Sequence, residues 1–332
     1  MPDADGGDAM AEPTRRALSA GLFAAPFLAR AAAAQAWPSR PIRLVVPYPP
    51  GGGADTTARL IAEPMGAALG QPVVVENRGG AGGTIGAAEV ARAPHDGHTL
   101  LLDAGAHVVN PFVMRTLPFD YHTAFAPISQ LTVLPQIMLV KTALPARTIA
   151  EFIALAKARP GELTYGSSGN ATSSHLAAAR FAQAAGISLV HVPYRGGGPA
   201  VQDLVAGNID MHMGTVSSSL ALAQAGRIRA LGVTTKQRLA QLPDVPTIAE
   251  SGFPGFELNE WNGLYAPSGT PEDVLDRIHA AAVGALAQPA VRARLESLGA
   301  LAVGSSRAEF AAFLSNLRET MKALVAEANI TV

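Results

Sequence analysis

The chain has 332 residues, of which 48% are hydrophobic and 15% charged, and its formal net charge is −1. This composition is typical of a well-packed globular protein and excludes a disordered or fibrous one, while the balanced charge excludes the basic surplus of proteins that bind nucleic acid electrostatically. There is no cysteine, so disulfides, thiolate metal sites and cysteine nucleophiles are also excluded.

The first 36 residues have the pattern of an export signal. Arg15 and Arg16 precede an apolar stretch, 17–29, and a small-x-small cleavage site follows at 34–36. The stretch is too short to span a bilayer, and the arginine pair is similar to a twin-arginine signal. Cleavage after Ala36 would leave 22 of the 25 basic and 22 of the 26 acidic side chains. We therefore expect a neutral mature protein in the periplasm.

The first half of the mature chain alternates strands with helices. Periodicity and turn residues predict strands at 42–46, 73–76 and 99–103, helices at 56–69 and up to about residue 91, and a glycine loop at 79–83. Strands that alternate with helices indicate a parallel α/β sheet.

The same order recurs in the second half. Helices are predicted at 148–158, 172–185, up to about 206, and 218–225, with strands at 163–165, 189–193, 209–213 and 230–234. Because 332 residues exceed one comfortable core, this recurrence indicates two similar lobes.

The remainder, from Pro271, is predicted to be helical at 271–286, 289–298 and 308–327. We expect it to pack on the first lobe, which requires the chain to cross between lobes near Val140 and again near Trp261. This assigns residues 37–139 and 262–332 to one lobe and 140–261 to the other.

Two segments place a Gly/Ser loop between a strand and a helix. In the first, Gly51, Gly52 and Gly53 lie ahead of a helix that Asp55 or Thr56 would cap. In the second, side-chain donors are added by Ser167, Ser168, Asn170 and Thr172. A helix N-terminus has unpaired N–H groups and partial positive charge, so each loop is a candidate anion site. The alternative is that each loop only turns the chain.

Other site types have weaker signals. Residues 73–103 imitate a dinucleotide fingerprint ending in Asp103, but the glycine spacing is G-x-x-G-x-x-G. The eight histidines show no metal-ligand spacing, and Gly166-Ser167-Ser168-Gly169 lacks the spacing of a hydrolase elbow. We therefore predict no metal, no cofactor and no catalytic residue. Arg195 either aims a cation at the ligand or braces its lobe.

Several ordered blocks resemble one family, the extracytoplasmic solute receptors of tripartite tricarboxylate transporters, also called the Bug family. The blocks that carry the resemblance are VVPYPPGGGADTTAR, VVVENRGGAGGTIGAAEVARAPHDGHTLLL, YGSSGNATSSHLAAARF, VPYRGGGPAVQDLVAGNID, AGRIRALGVTTKQRLAQLPDVPTIAESGFPGFE and WNGLYAPSGTP. Together they cover essentially the whole mature chain.

The resemblance implies a two-lobed periplasmic-binding-protein (Venus flytrap) fold of α/β class with two hinge-crossing strands. It also implies a non-enzymatic receptor that holds a small organic acid in the cleft and delivers it to integral membrane transporter subunits, with no nucleic-acid partner and with a monomeric state. The carboxylate-gripping loops would be 48–55 and 166–172. The ligand-binding residues predicted on this basis are Tyr48, Gly51, Gly52, Gly53, Asp55, Ala106, His107, Gly166, Ser167, Ser168, Asn170, Ala171, Thr172 and Thr215.

One residue departs from the family pattern. Ala171 stands where the family commonly has glycine, and its methyl group is expected to narrow the pocket or to alter one backbone angle. The alternative to a receptor is an exported nicotinamide-dependent oxidoreductase, which the arginine pair and the imitated fingerprint would suit.

Overall fold

A computed structural model describes residues 37–327, so the predicted export signal and its cleavage site lie outside the described residues. Within this range the strands are β1 (Ile42–Val46), β2 (Val73–Asn77), β3 (Thr99–Asp103), β4 (Phe125–Leu134), β5 (Gln136–Lys141), β6 (Thr164–Ser167), β7 (Val190–Pro193), β8 (Met211–Thr215), β9 (Ile228–Val233), β10 (Glu260–Pro267) and β11 (Leu301–Ala302). The helices are α1 (Gly53–Leu69), α2 (Thr84–Ala91), α3 (Ala106–Val113), α4 (Ile149–Ala158), α5 (Ser173–Ala185), α6 (Gly197–Ala206), α7 (Val216–Gln224), α8 (Glu272–Ala287), α9 (Pro289–Ser297) and α10 (Arg307–Glu327). None of these helices combines the length and apolarity needed to span a bilayer.

The strands form two mixed sheets, and four neighbouring strands of each sheet pair in the same parallel and antiparallel pattern. The first has the order β11-β4-β10-β3-β1-β2, in which β1 is parallel to β2 and β3 while β10 is antiparallel to β3. The second has the order β7-β6-β8-β5-β9, in which β6 is parallel to β7 and β8 while β5 is antiparallel to β8. The predicted recurrence of one α/β pattern in both halves is confirmed.

Helix α1 shows how the sequence produces these units. Its buried residues Ala58, Ile61, Met65 and Leu69 recur at helical spacing and face the first sheet. The helix ends where Gly70 adopts a left-handed conformation and donates its N–H to the Gly66 carbonyl.

The chain passes between the sheets at two places. The first is Pro135, which separates β4 of the first sheet from β5 of the second, earlier than the predicted crossing near Val140. The second is the segment 234–259 between β9 and β10, which ends next to the predicted crossing at Trp261. The two connections meet, because the Thr234 hydroxyl accepts from the Gln136 N–H at 3.0 Å and donates to Asn259 Oδ1 at 2.7 Å.

The C-terminal helices pack on the first sheet. Helix α8 lies against α1 and β4, and α10 lies against α3 and β4. The apolar core between α1, α8 and the sheet includes Ile42, Ile61 and Ile278, all of which are fully buried.

Asn262 joins three elements inside the first sheet. Its side chain is fully buried, and its Oδ1 accepts from the hydroxyls of Thr57 at 3.0 Å and Thr132 at 3.1 Å. Its Nδ2 donates to the Trp261 carbonyl at 3.2 Å. The amide therefore satisfies buried polar groups of α1, β4 and β10 at once.

We predict that Asn262→Ala lowers the free energy of unfolding by about 2–4 kcal/mol, because two buried hydroxyls lose their acceptor. Urea denaturation followed by circular dichroism measures this change. The exposed helical Asn316 is the control position, and Asn316→Ala is expected to change stability by less than about 0.5 kcal/mol. Equal effects of the two substitutions would contradict a structural role for Asn262.

Candidate ligand-binding cleft

A cavity of about 610 Å³ lies between loops of the two sheets. This volume falls within the ordinary range of small-molecule sites. The residues that line it are Tyr48–Ala54, Gly82, Ala104–Ala106, Asn110, Met114, Ser168, Asn170–Ser173, Arg195, Gly196 and Glu260. The predicted strand–loop–helix segments therefore meet at one cavity.

The N-terminus of α1 forms one wall. Gly52 is its N-cap and supplies no side-chain hydrogen bond, so the first-turn amides lack the usual capping group. Gly51 has φ of 85°, which favours glycine. A Cβ on Gly53 would lie 2.9 Å from the Leu134 side chain, so glycine also permits the close packing of the loop on β4.

Asp55 holds this loop from below and does not line the cavity. Its side chain is 4% exposed, and it accepts from Gly51 N–H at 2.8 Å, Arg59 Nε at 3.0 Å and Asn77 Nδ2 at 2.9 Å. Burial opposes the charge, but the hydrogen bonds from Arg59, Gly51 and Asn77 lower the pKa of Asp55. The carboxylate therefore supports the loop and is absent from the lining of the cavity.

A second buried carboxylate fixes Tyr48. Asp103 is 1% exposed and accepts from the Tyr48 hydroxyl at 2.7 Å and the Ala104 N–H at 2.8 Å, with His107 Nδ1 at 3.1 Å. Burial lowers the pKa of His107, whose neutral ring stacks on Tyr265 at 4.1 Å. Predicted residue His107 thus lies beneath the cavity, where it orients Asp103.

The N-terminus of α5 forms the opposite wall. Thr172 is the N-cap, but its hydroxyl donates to the Gly169 carbonyl at 2.8 Å and accepts from no backbone N–H of the helix. This leaves the first-turn amides of α5, as of α1, without a side-chain cap. By contrast, the N-cap Thr148 of α4, outside the cleft, accepts from the Glu151 N–H.

Several amides of the second loop are taken by the protein itself. The Ser168 N–H donates to Ser174 Oγ at 2.7 Å, and the Ala171 N–H donates to His175 Nδ1 at 3.1 Å. The Ala171 amide, which the resemblance assigned to the ligand, is therefore engaged internally. Ala171 has φ of 57°, so its backbone adopts the left-handed conformation that glycine would adopt without strain.

Three further predicted residues are structural and do not line the cavity. Ser167 is fully buried and bonds to His191 Nε2 at 2.6 Å and the Gly169 carbonyl at 3.0 Å. A Cβ on Gly166 would lie 2.5 Å from Ile209, so packing requires glycine there. The Thr215 hydroxyl bonds to Ser218 at 3.0 Å at the start of α7.

The cavity lining thus includes nine of the fourteen predicted residues, Tyr48, Gly51, Gly52, Gly53, Ala106, Ser168, Asn170, Ala171 and Thr172. Their contact with a ligand stays a prediction. Sequence reasoning did not place Gly82, Asn110, Ser173 or Glu260 in the site. A signal existed for Ser173, the second residue of the helix predicted at 172–185. Glu260 comes from β10, where a hinge crossing near Trp261 was predicted but no role in the site.

The segment that imitates a dinucleotide fingerprint forms part of the cavity wall. Gly82 contributes to the cavity wall, and the Asn110 side chain donates to its carbonyl at 3.0 Å. Asp103, the supposed ribose ligand, is occupied by Tyr48, Ala104 and His107 as described. Within residues 37–327, no group of three His, Asp or Glu side chains is arranged to hold a metal ion.

A histidine pair supports the second loop. The rings of His175 and His191 stack at 3.8 Å, and His191 stacks on Tyr165 at 4.9 Å. Burial, and to a smaller extent His191, lower the pKa of His175 to about 4. Neutral His175 accepts the hydrogen bond from the Ala171 N–H at Nδ1. A protonated ring carries a hydrogen at Nδ1 and could not accept this bond.

We predict that stability falls as the pH falls from about 6.5 to about 4, because the unfolded chain binds a proton at His175 before the folded chain does. His175→Gln retains an acceptor without titrating, so its stability should depend less steeply on pH. The comparison of the two pH profiles by urea denaturation isolates this residue from His107 and His191, whose pKa values burial also lowers. Parallel profiles would contradict the assignment.

Comparison with known proteins identifies the family of the chain. Residues 57–330 match the model of the tripartite tricarboxylate transporter family receptor. A curated relative, the protein of the tcbD-tcbE intergenic region of Pseudomonas sp. (strain P51), is 44% identical over 299 residues, which cover 90% of this chain and 89% of the relative.

Two solved structures are similar over most of the chain. The periplasmic binding protein BugD has a TM-score of 0.77 and 33% identity, covering 89% of this chain and 99% of BugD. Rpa4515 of R. palustris, solved with adipate, has a TM-score of 0.80 and 34% identity, covering 89% of this chain and 99% of that protein. The expected two-lobed periplasmic-binding-protein fold is confirmed. The chain belongs to the Bug-type receptors of the tripartite tricarboxylate transporter family.

Proposed function

We propose that this receptor captures a small organic carboxylate between its two lobes in the periplasm and delivers it to the membrane subunits of its transporter. The observation that carries the proposal is the pair of helix N-termini, α1 and α5, which border one cavity without side-chain caps. Unpaired amides and the helix dipole favour an anion at such ends. A structure of the similar protein Rpa4515 contains adipate, a carboxylate.

The physical basis is the strength of hydrogen bonds to a charged acceptor, each of which contributes about 1.5–3 kcal/mol. Closure of the lobes excludes water from the cleft and strengthens these bonds. A ligand that contacts both walls stabilises the closed form over the open one, and the transporter would recognise the closed form.

The proposal includes no chemical step. Ser167, which bonds to His191, is buried beneath the loop, and Ser168, which lines the cavity, has no histidine partner among residues 37–327. We further propose that the protein acts as a monomer after removal of residues 1–36. Each lobe contributes one wall, so a single chain completes the site.

Thermal unfolding with and without carboxylates tests the function. A ligand at 100 times its Kd should add about 2.7 kcal/mol to the free energy of unfolding. The panel contains mono-, di- and tricarboxylates and amino acids, and turnover of nicotinamide cofactors is assayed in parallel. Cofactor-dependent turnover, or a nicotinamide absorbance in the purified protein, would overturn the proposal in favour of an oxidoreductase.

We predict that Gly52→Leu and Ser168→Leu each abolish ligand-induced stabilisation, because either side chain would enter the cavity. A Cβ on Gly52 would meet only the Pro49 carbonyl, at 3.8 Å, so the fold itself should tolerate the change. Gly284→Leu on α8, where a Cβ meets nothing within 4 Å, is the matched control and should respond to ligand like the wild type. Normal binding by both cleft variants would refute this site.

A further inference from the structure

Two ionisable side chains of opposite charge lie on opposite walls of the cleft. Glu260 is the first residue of β10, in the first sheet, and Arg195 follows β7, in the second. Among residues 37–327, neither side chain has a hydrogen-bond or ion-pair partner. In this they differ from Asp55 and Asp103, which the protein satisfies completely.

The direction of Glu260 follows from the alternation of β10. The next residue, Trp261, packs on Phe310 and Phe313 at ring distances of 5.9 and 5.4 Å, on the side of α10. Glu260 therefore projects to the other side, where it lines the cavity near Tyr48. Burial raises the pKa of Glu260, because no donor of the protein compensates for the lost hydration.

Arg195 is positioned beside the second loop. The Gly196 N–H donates to the Ser168 carbonyl at 3.1 Å, and the Tyr194 N–H donates to the Ser167 carbonyl at 3.0 Å. These two bonds flank Arg195 and fix its backbone against the loop that leads into α5. The guanidinium itself is exposed and free to face the cleft.

The two walls therefore attract different groups. The second wall combines the α5 N-terminus with the positive charge of Arg195, and both favour a carboxylate. The first wall offers α1 amides, but a carboxylate there would also meet the like charge of Glu260, which disfavours it. A carboxylate consequently gains more on the second wall, and on the first wall the Glu260 carboxylate is left to accept from a donor of the ligand.

We infer that Glu260 is a specificity-determining residue that binds a positively charged group of the ligand, so that the preferred ligand is an amino carboxylate and not a dicarboxylate. The ligand carboxylate lies toward Arg195 and the α5 N-terminus, and its ammonium group lies toward Glu260. This inference rests on the proposed function and adds the class and the orientation of the ligand.

The test uses ligand pairs that differ only at the far end. Glutarate and 4-aminobutyrate form one pair, adipate and 5-aminopentanoate a second, and aspartate and glutamate add α-amino acids with both features. Binding to the mature protein is measured by calorimetry for wild type, for Glu260→Gln, and for the control Glu162→Gln. Glu162 is an exposed surface carboxylate paired with Arg159, so its neutralisation makes the same chemical change outside the cleft.

The expected result is that the wild type prefers ligands with an ammonium group and that Glu260→Gln weakens them by about 10- to 100-fold, the range for a hydrogen bond to a charged group. The dicarboxylates should bind Glu260→Gln more tightly than the wild type, and Glu162→Gln should match the wild type. The opposite changes for the two ligand classes exclude a general loss of folding.

Three results would overturn the inference. If dicarboxylates bind the wild type more tightly than their amino partners and Glu260→Gln leaves the ratio unchanged, Glu260 does not select the ligand, while the receptor function stands. If dicarboxylates bind with uptake of one proton, which calorimetry in buffers of different ionisation enthalpy detects, Glu260 acts as a neutral donor. If none of the carboxylates binds, the proposed function fails, and this inference fails with it.

Discussion

The structure of the cleft depends on the amide groups at the start of α1 and α5, which need a hydrogen-bond acceptor from outside their helices. A helix N-terminus that lacks a capping side chain is stable only if another group satisfies its amides. Both helices follow parallel strands whose carboxyl ends reach the same cavity. The uncapped amides of α1 and α5 therefore border one space of the size of a small ligand. The glycines of the first loop keep side chains out of that space.

The polar groups beneath the cavity hold its loops in place. Asp55, Asp103 and Ser167 are almost fully buried, and each bonds to backbone groups of a loop that lines the cavity. Their hydrogen bonds fix the loops before a ligand arrives, which lowers the ordering cost of binding. Residue types that are typical of ligand contact therefore serve in these positions as supports.

The sequence predicted those parts of the fold that have local signals. Strands β1 and β3 were predicted with their observed bounds, and the glycine loops were located because turn residues interrupt clear periodicity. Strand β4 was missed, and β5 was predicted only as a hinge crossing near Val140, since both strands are buried on two faces and show no alternation. Helix α3 was missed as well, because it is short and contains Pro111.

The site was predictable to the extent that it is made from backbone. The two loops that contain Gly52 and Ser168 could be recognised, but the distinction between lining and support could not, because it depends on packing. Asp55 and Ser167 have the chemistry of ligand contacts and were predicted as such, yet both point inward. Glu260 enters the cavity from a distant strand, and only the tertiary structure brings it there.

The left-handed backbone of Ala171 has a consequence for how the cleft meets its solute. An L-residue in this conformation costs about 1–2 kcal/mol, whereas glycine would adopt it freely and would also visit many other conformations. With alanine, the bend has fewer alternatives in the unfolded chain and is held in place by the His175 ring. The loop therefore has its conformation before the ligand binds. It accepts those ligands whose shape fits this fixed backbone.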